Sequence, residues 1–173
     1  MQYLFSLIIS CLLVVPLPLK TAQEPPVFKA GFAEKDITPD IGMEAPGGYG
    51  KSYHQTFHDP CKVRAVVFDD GKRRVALVGI DLLFVTRSLV QEARAEIQKQ
   101  TGIPGEAVMI GASHSHSSGP VGMILPGELD FASPLLQELA YEESSMADAG
   151  YLQVVTKAIV DAVVWADKTK APA

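Results

Sequence analysis

The chain has almost no cysteine. Its 173 residues contain two, and Cys11 lies in an apolar N-terminal stretch that is typical of an export signal. Removal of that stretch would leave Cys61 alone, and a single thiol cannot close an internal disulfide. We therefore expect packing, without crosslinks, to stabilise the fold.

Positive charge is also scarce. The 15 Lys and Arg residues are outnumbered by 20 Asp and Glu, which gives a formal net charge of -5, and the longest basic run is residues 72–74. Sequence-independent binding to nucleic acid needs a basic surface that neutralises phosphates. The composition therefore argues against nucleic acid as a partner.

No apolar run reaches the roughly 20 residues of a membrane-spanning helix. The longest, residues 3–19, contains two prolines, and its core over residues 4–15 has the length of the apolar region of a signal peptide. We expect a signal peptide over residues 1–22 and a secreted or periplasmic protein, with a lipoprotein or a retained anchor as the less favoured alternatives. Residues 27–173 then have the length of one domain.

Strand signals dominate the first half of that domain. Residues 61–68 and 74–84 are β-rich and flank an Asp-Gly turn, which is typical of an antiparallel hairpin. Residues 27–33 also have strand-like content. The nearly continuous apolar run 75–80 predicts a central strand that is buried on both faces.

Helical periodicity separates this strand from the next. Thr86 can cap a helix that runs to about Gln100, and a strand over residues 107–112 follows it. This is a βαβ unit, in which the two strands are expected to be parallel. An amphipathic helix is predicted over residues 151–166. The expected fold class is α/β, a mixed sheet with flanking helices.

The most informative motif is the pair of imidazoles at His114 and His116. Side chains two residues apart point the same way in an extended chain, so a strand that continued through this point would aim both rings into one pocket. Neutral imidazole is a common zinc ligand, and open α/β sheets bind ligands at the carboxyl ends of their strands. The alternative is a chance pair that caps a loop through hydrogen bonds.

Two other features suit a site at that edge. Asp81 follows the run 75–80 directly, so its carboxylate is either a site residue or an acceptor for backbone donors where the strand stops. The loop over residues 42–50 is rich in glycine, which permits close approach of the backbone to a ligand. An ordinary surface loop would have the same composition.

A family resemblance rests on several segments: 30–39 (AGFAEKDITP), the Gly48-Tyr49 loop, 57–60 (FHDP), 64–71 (RAVVFDDG), 75–82 and, above all, 113–120 (SHSHSSGP). In this order they resemble the amino-terminal part of the catalytic domain of the neutral/alkaline non-lysosomal ceramidases. The doubled serine before Gly119 departs from that family's commoner His-Ser-Gly-Pro ending.

The resemblance implies a Zn2+-dependent amidase that hydrolyses the N-acyl bond of ceramide. It implies His114 as a metal ligand and His116 as the catalytic residue beside the metal. It gives His58, Asp81 and Tyr49 as residues that contact the substrate or support the site. The expected partner is a ceramide-like lipid amide, with peripheral contact with a membrane as a further expectation.

The family draws the rest of its metal ligands from regions further along the chain. The resemblance therefore implies a fragment of the catalytic domain that lacks those ligands, and whose activity on its own is in doubt. Two alternatives stay open. One is another metallohydrolase that uses a His-x-His motif, and the other is a secreted, non-catalytic domain that binds lipid or carbohydrate.

Overall fold

The computed structural model describes residues 27–48 and 50–173, so the expected signal peptide and Tyr49 lie outside the described residues. The elements, in chain order, are β1 (Lys29–Asp36), β2 (Lys62–Asp69), β3 (Arg74–Ile80), α1 (Arg87–Thr101), β4 (Val108–Ala112), α2 (Pro134–Gln137), α3 (Ala149–Lys168) and β5 (Ala171–Pro172). A 3-10 turn at Gly105–Ala107 precedes β4, and a π turn at Glu138–Glu142 follows α2.

The strands form a mixed sheet in the order β4-β3-β2-β1-β5. Strands β2 and β3 pair in antiparallel fashion, as the hairpin signal predicted, and β1 pairs with β2 in the same way. Strands β3 and β4 are parallel and are connected through α1. The predicted α/β class and the βαβ unit are thus confirmed.

Local signals fix both ends of α1. The Thr86 side chain accepts a hydrogen bond from the Leu89 backbone amide, which satisfies one of the free donors at the start of the helix. Gly102 ends the helix in the left-handed region, at φ 73°, where glycine is not penalised. The helix therefore begins and ends within a residue of the predicted bounds.

Helix α3 provides most of one side of the core. It packs across β1 and β2 and also contacts α1. A Cβ at Gly31 would lie 1.9 Å from the Ala166 carbonyl oxygen, so only glycine lets helix and strand approach this closely. By length and composition α3 is apolar enough to cross a membrane, but Val155, Ile159 and Val163 are fully buried against the sheet.

The prediction that β3 is buried on both faces is wrong. Ala76, Val78 and Ile80 are buried on the side of the helices, whereas Val75 and Leu77 are 40% and 38% exposed. Both long helices lie on one face of the sheet, and within residues 27–48 and 50–173 no layer covers the other face. That face carries an apolar row with one residue from each of four paired strands: Phe32, Val66, Leu77 and Met109.

Candidate functional site

The candidate site lies beyond the carboxyl ends of the two parallel strands. There the segment after β3 continues beside the segment after β4. The Ser113 amide donates to the Ile80 carbonyl (2.9 Å), and the Ser115 amide donates to the Leu82 carbonyl (3.0 Å). His114 is the residue between these two anchors, so its position is fixed on both sides.

The backbone at His114 is not extended. Strand β4 ends at Ala112, and His114 has a φ of 62°, in the left-handed region that residues other than glycine rarely adopt. The alternation argument for His114 and His116 is therefore wrong, because the chain turns here. The turn nevertheless brings the two rings together: their centroids are 5.0 Å apart and their planes are inclined by 79°.

A single hydrogen bond orients the His114 ring. Its Nδ1 lies 2.9 Å from the Leu83 carbonyl oxygen. A carbonyl oxygen can only accept, so Nδ1 carries the hydrogen, and in the neutral ring Nε2 then keeps its lone pair. Histidines that bind metals are commonly held in this way, with one ring nitrogen on a backbone carbonyl and the other on the metal.

The two rings open into a cleft of about 600 Å³, whose walls include the glycine loop and the apolar side chains of Leu83, Phe84, Met123 and Ile124. Gly47 has a φ of 92°, and a Cβ there would lie 2.6 Å from His116 Cγ. The loop therefore needs glycine so that its backbone can lie against the His116 ring. Tyr49 belongs to the same loop but is not among the described residues.

Asp81 does not line this cleft. Its carboxylate accepts hydrogen bonds from the Lys62 amide (3.0 Å) and from Arg64 Nη1 (2.8 Å). It thus accepts from a backbone amide where the strand stops, which is the alternative to a role in the site.

His58 is also outside the cleft. Its ring is almost fully exposed and pairs with the Asp59 carboxylate at 2.8 Å. It borders a separate depression of about 530 Å³, which Cys61, Asp81 and Ser115 also line. The structure therefore brings His114 and His116 together and leaves His58 and Asp81 on another part of the surface.

Two buried polar residues, His54 and Ser118, lie behind the histidines. His54 is 7% exposed, its Nε2 lies 2.8 Å from the Ser118 carbonyl oxygen, and its ring lies against Phe57. Ser118 is fully buried, and its hydroxyl hydrogen-bonds to the Leu83 amide and to the Ser115 carbonyl. The doubled serine was the one sequence signal that pointed to this position.

The histidine loop, residues 113–120, ends in contact with α3. A Cβ at Gly119 would lie 2.1 Å from Tyr151 Cζ, so the glycine backbone lies directly on the tyrosine ring. The Tyr151 hydroxyl donates to the Ile37 carbonyl at 2.7 Å, and burial raises the pKa of this phenol well above its usual range. This contact joins the loop, the helix and the end of β1.

The described residues do not complete the ligand set of a catalytic zinc ion. A catalytic zinc ion takes three protein ligands, and histidine is among the commonest. His114 and His116 offer two nitrogens, and in the described part of the chain no group of three His, Cys, Asp or Glu side chains is arranged to hold a metal ion. The two histidines therefore fit such a shell without completing it.

Comparison with solved structures identifies the architecture. The crystal structure of neutral ceramidase from Pseudomonas aeruginosa matches 84% of this chain with a TM-score of 0.62 and 18% sequence identity. The chain has the fold of part of a ceramidase. A ceramidase complexed with C2 also matches 84% of the chain, with a TM-score of 0.61 and 19% identity.

The match is partial in length and distant in sequence. It covers 22% of each ceramidase chain, so this chain spans about a fifth of those proteins. No protein-family model and no curated protein matches it. At 18–19% identity the similarity shows the fold alone. In its fold, the chain confirms the resemblance found in the sequence segments.

Proposed function

We propose that this chain is part of a ceramidase-like zinc amidohydrolase, which cleaves the N-acyl bond of a ceramide-like lipid into a sphingoid base and a fatty acid. The observation that carries the proposal is the pair His114 and His116, whose ring centroids are 5.0 Å apart in an open cleft. The ceramidase-type fold, with the pair beyond the carboxyl ends of two parallel strands, supports it.

His114 acts as a metal ligand through Nε2. The bond from its Nδ1 to the Leu83 carbonyl keeps the hydrogen away from Nε2 and fixes the plane of the ring. When bound, zinc supplies Lewis-acid activation of an amide carbonyl and of a water molecule, which a poor electrophile such as an amide requires. The remaining ligands come from outside the described residues.

His116 acts on the substrate beside the metal. Its ring is exposed, stands edge-on to His114 and rests on the Gly47 backbone. An imidazole in this position can donate a hydrogen bond to the oxygen that becomes negative during attack on the carbonyl, or carry a proton to the leaving amine.

The apolar wall of the cleft suits a lipid substrate. Leu83, Phe84, Met123 and Ile124 offer aliphatic and aromatic surface within the same cavity as the imidazoles. An acyl chain that lies along this wall would place its amide near the two rings. An exported enzyme of this kind would meet such lipids at a membrane surface, in line with the expected signal peptide and a secreted or periplasmic location.

One observation favours a second candidate, a secreted and non-catalytic lipid-binding domain with the same fold. In the described residues no group of three side chains is arranged to hold a metal ion, whereas a catalytic zinc ion takes three protein ligands. A domain that kept the apolar cleft without the chemistry would show the same geometry.

Zinc titration and hydrolysis of a labelled short-chain ceramide separate the two candidates. The chain is compared with His114→Ala and with His58→Ala, which removes an imidazole from the separate depression. We expect weak zinc binding, because few ligands are present. Loss of a hydrogen-bond partner of a metal ligand lowers the metal affinity by roughly 10- to 100-fold. Because His114→Ala removes the ligand itself, we expect it to lower the zinc affinity by more than that. His58→Ala should retain the affinity.

Any hydrolysis of the labelled ceramide should require His114. Hydrolysis that survives His114→Ala would contradict the proposed role of this residue. Ceramide binding without turnover, equal in the chain and in His114→Ala, would instead support the non-catalytic lipid-binding domain.

A further inference from the structure

Ser118 ties the histidine loop to the segment that follows β3. Its side chain is fully buried, and its hydroxyl makes two hydrogen bonds. It donates to the Ser115 carbonyl at 3.0 Å and accepts from the Leu83 amide at 3.1 Å. One hydroxyl therefore links the loop that carries His114 to the segment that follows β3.

Leu83 is the residue through which Ser118 acts on His114. The amide of Leu83 is held by Ser118, and its carbonyl accepts the hydrogen bond from His114 Nδ1 at 2.9 Å. A displacement of the Leu83 backbone would move the acceptor on which the imidazole depends. The orientation of the ring is thus linked to a serine four residues further along the chain.

His54 holds Ser118 from the other side. Its Nε2 donates to the Ser118 carbonyl at 2.8 Å, and its own amide donates to the Met43 carbonyl at 2.9 Å. The His54 ring is also packed against Phe57. Ser118 is therefore fixed at its carbonyl and at its hydroxyl, as a residue must be if it is to define the position of others.

Such support is needed because His114 has an unfavourable backbone conformation. Among the described residues it alone, apart from glycine, has a positive φ. A conformation of this kind persists only where the surrounding structure holds it. The Ser118 hydroxyl bonds to the carbonyl of the next residue, Ser115, and to the amide of Leu83, whose carbonyl holds the His114 ring.

We propose that Ser118 is a positioning residue for His114, which holds the imidazole as the Nδ1–H tautomer through Leu83 and so presents Nε2 to the cleft. The purpose of this arrangement rests on the proposed function, because a metal ligand needs a free Nε2. The tautomer itself is a property of the chain without any metal.

The test is the tautomer of His114, read from the ring 15N chemical shifts of the full chain at about pH 9, where imidazoles are neutral. We expect the Nδ1–H form in the unaltered chain and a mixture of both tautomers in Ser118→Ala. Ser117→Ala is the matched control, because the neighbouring Ser117 is exposed. It should leave the tautomer unchanged. If Ser118→Ala does not fold, Ser118→Cys, whose sulfur is only a weak acceptor for the Leu83 amide and whose S–H is only a weak donor, should give a smaller shift in the same direction.

The outcomes distinguish this inference from the proposed function. A tautomer change in the Ser118 variant but not in Ser117→Ala supports the positioning role, and zinc affinity should then also fall by roughly 10-fold or more. An unchanged tautomer in a folded Ser118 variant, or an equal change in Ser117→Ala, would overturn it. Failure of the unaltered chain to bind zinc would count against the proposed function and would leave the tautomer result standing.

Discussion

The two ends of the sheet use their polar side chains in different ways. At the β2–β3 turn, charged groups pair with one another: Arg74 lies 3.0 Å from Asp167, and Lys170 contacts both Asp167 and Asp69. At the opposite end, the imidazoles of His114 and His116 face an open cleft. The first end uses its side chains to hold the fold. The second end also has an ion pair, Arg64–Asp81, but the His114 ring in its cleft is oriented through the Leu83 carbonyl and the buried Ser118.

The comparison shows how a side chain can be held in a fixed orientation and still leave a ring nitrogen free for a ligand. At the turn end the charged groups are partnered with one another. His114 is held by one ring nitrogen only, and the groups that hold it, Leu83 and Ser118, do not compete for the other nitrogen. We therefore expect substitutions at the site end to change stability and the site together, and those at the turn end to change stability alone.

The largest expected effect is that of Gly119→Ala, at the site end. The added Cβ would lie 2.1 Å from Tyr151 Cζ, so loop or helix must move. Overpacking of this kind typically costs about 1–3 kcal/mol of the free energy of unfolding. Urea denaturation measures the loss. We also expect the ring 15N signals of His114 to shift.

Gly111→Ala is the matched control for this substitution. A Cβ at Gly111, in β4, would have no atom within 4 Å, so its effect should stay within about 0.5 kcal/mol. Equal losses in the two variants would show that the contact with Tyr151 does not limit the position of the loop.

A smaller loss is expected for Tyr151→Phe. The substitution removes the donor from the buried Ile37 carbonyl, which costs about 1–2 kcal/mol near neutral pH. Burial raises the pKa of this phenol, so the folded chain favours the neutral form. The contribution of the buried neutral phenol to the free energy of unfolding is fully present below the ordinary tyrosine pKa of about 10. It is lost as the pH rises above that value.

The difference between the unaltered chain and Tyr151→Phe should therefore shrink between pH 8 and pH 11. Urea denaturation of both proteins across this range measures it, and the subtraction removes the titration of lysines common to both. A difference that stays constant or grows above pH 10 would show that the phenol is not buried as described.

The smallest effect is expected at the turn end, for Asp167→Asn. The Asp167 carboxylate accepts from Arg74 and pairs with Lys170, and its loss should cost about 1 kcal/mol. The cost should decrease as salt is added, because screening weakens the pair in the unaltered chain. The 15N signals of His114 should not move. A shift of those signals would mean that the two ends of the sheet are coupled.

Elements with local signals were predicted from the sequence. The Asp-Gly turn specifies the hairpin, and Thr86 and Gly102 specify the ends of α1, because each acts on backbone groups a few residues away. The burial of β3 was not predictable in this way. Val75 and Leu77 are as apolar as their neighbours, and only the placement of both long helices on one face leaves them exposed.

The proximity of His114 and His116 was predicted from the sequence for a reason that the structure does not support. The His-x-His spacing located the pair, but the rings meet because His114 turns into the left-handed region. That conformation depends on partners after β3, more than 30 residues earlier in the chain. The His54–Ser118 bond joins residues 64 positions apart. Neither interaction leaves a periodic pattern, so no reading of spacing reveals them.

The backbone of His114 has a consequence for any selection carried out on this protein. Glycine and asparagine adopt a φ of 62° more readily than histidine does. A library randomised at this position and sorted on folded yield alone should therefore enrich those two residues, and every enriched clone would have lost the imidazole. Selection for a stable fold and selection for an imidazole therefore favour different residues at position 114.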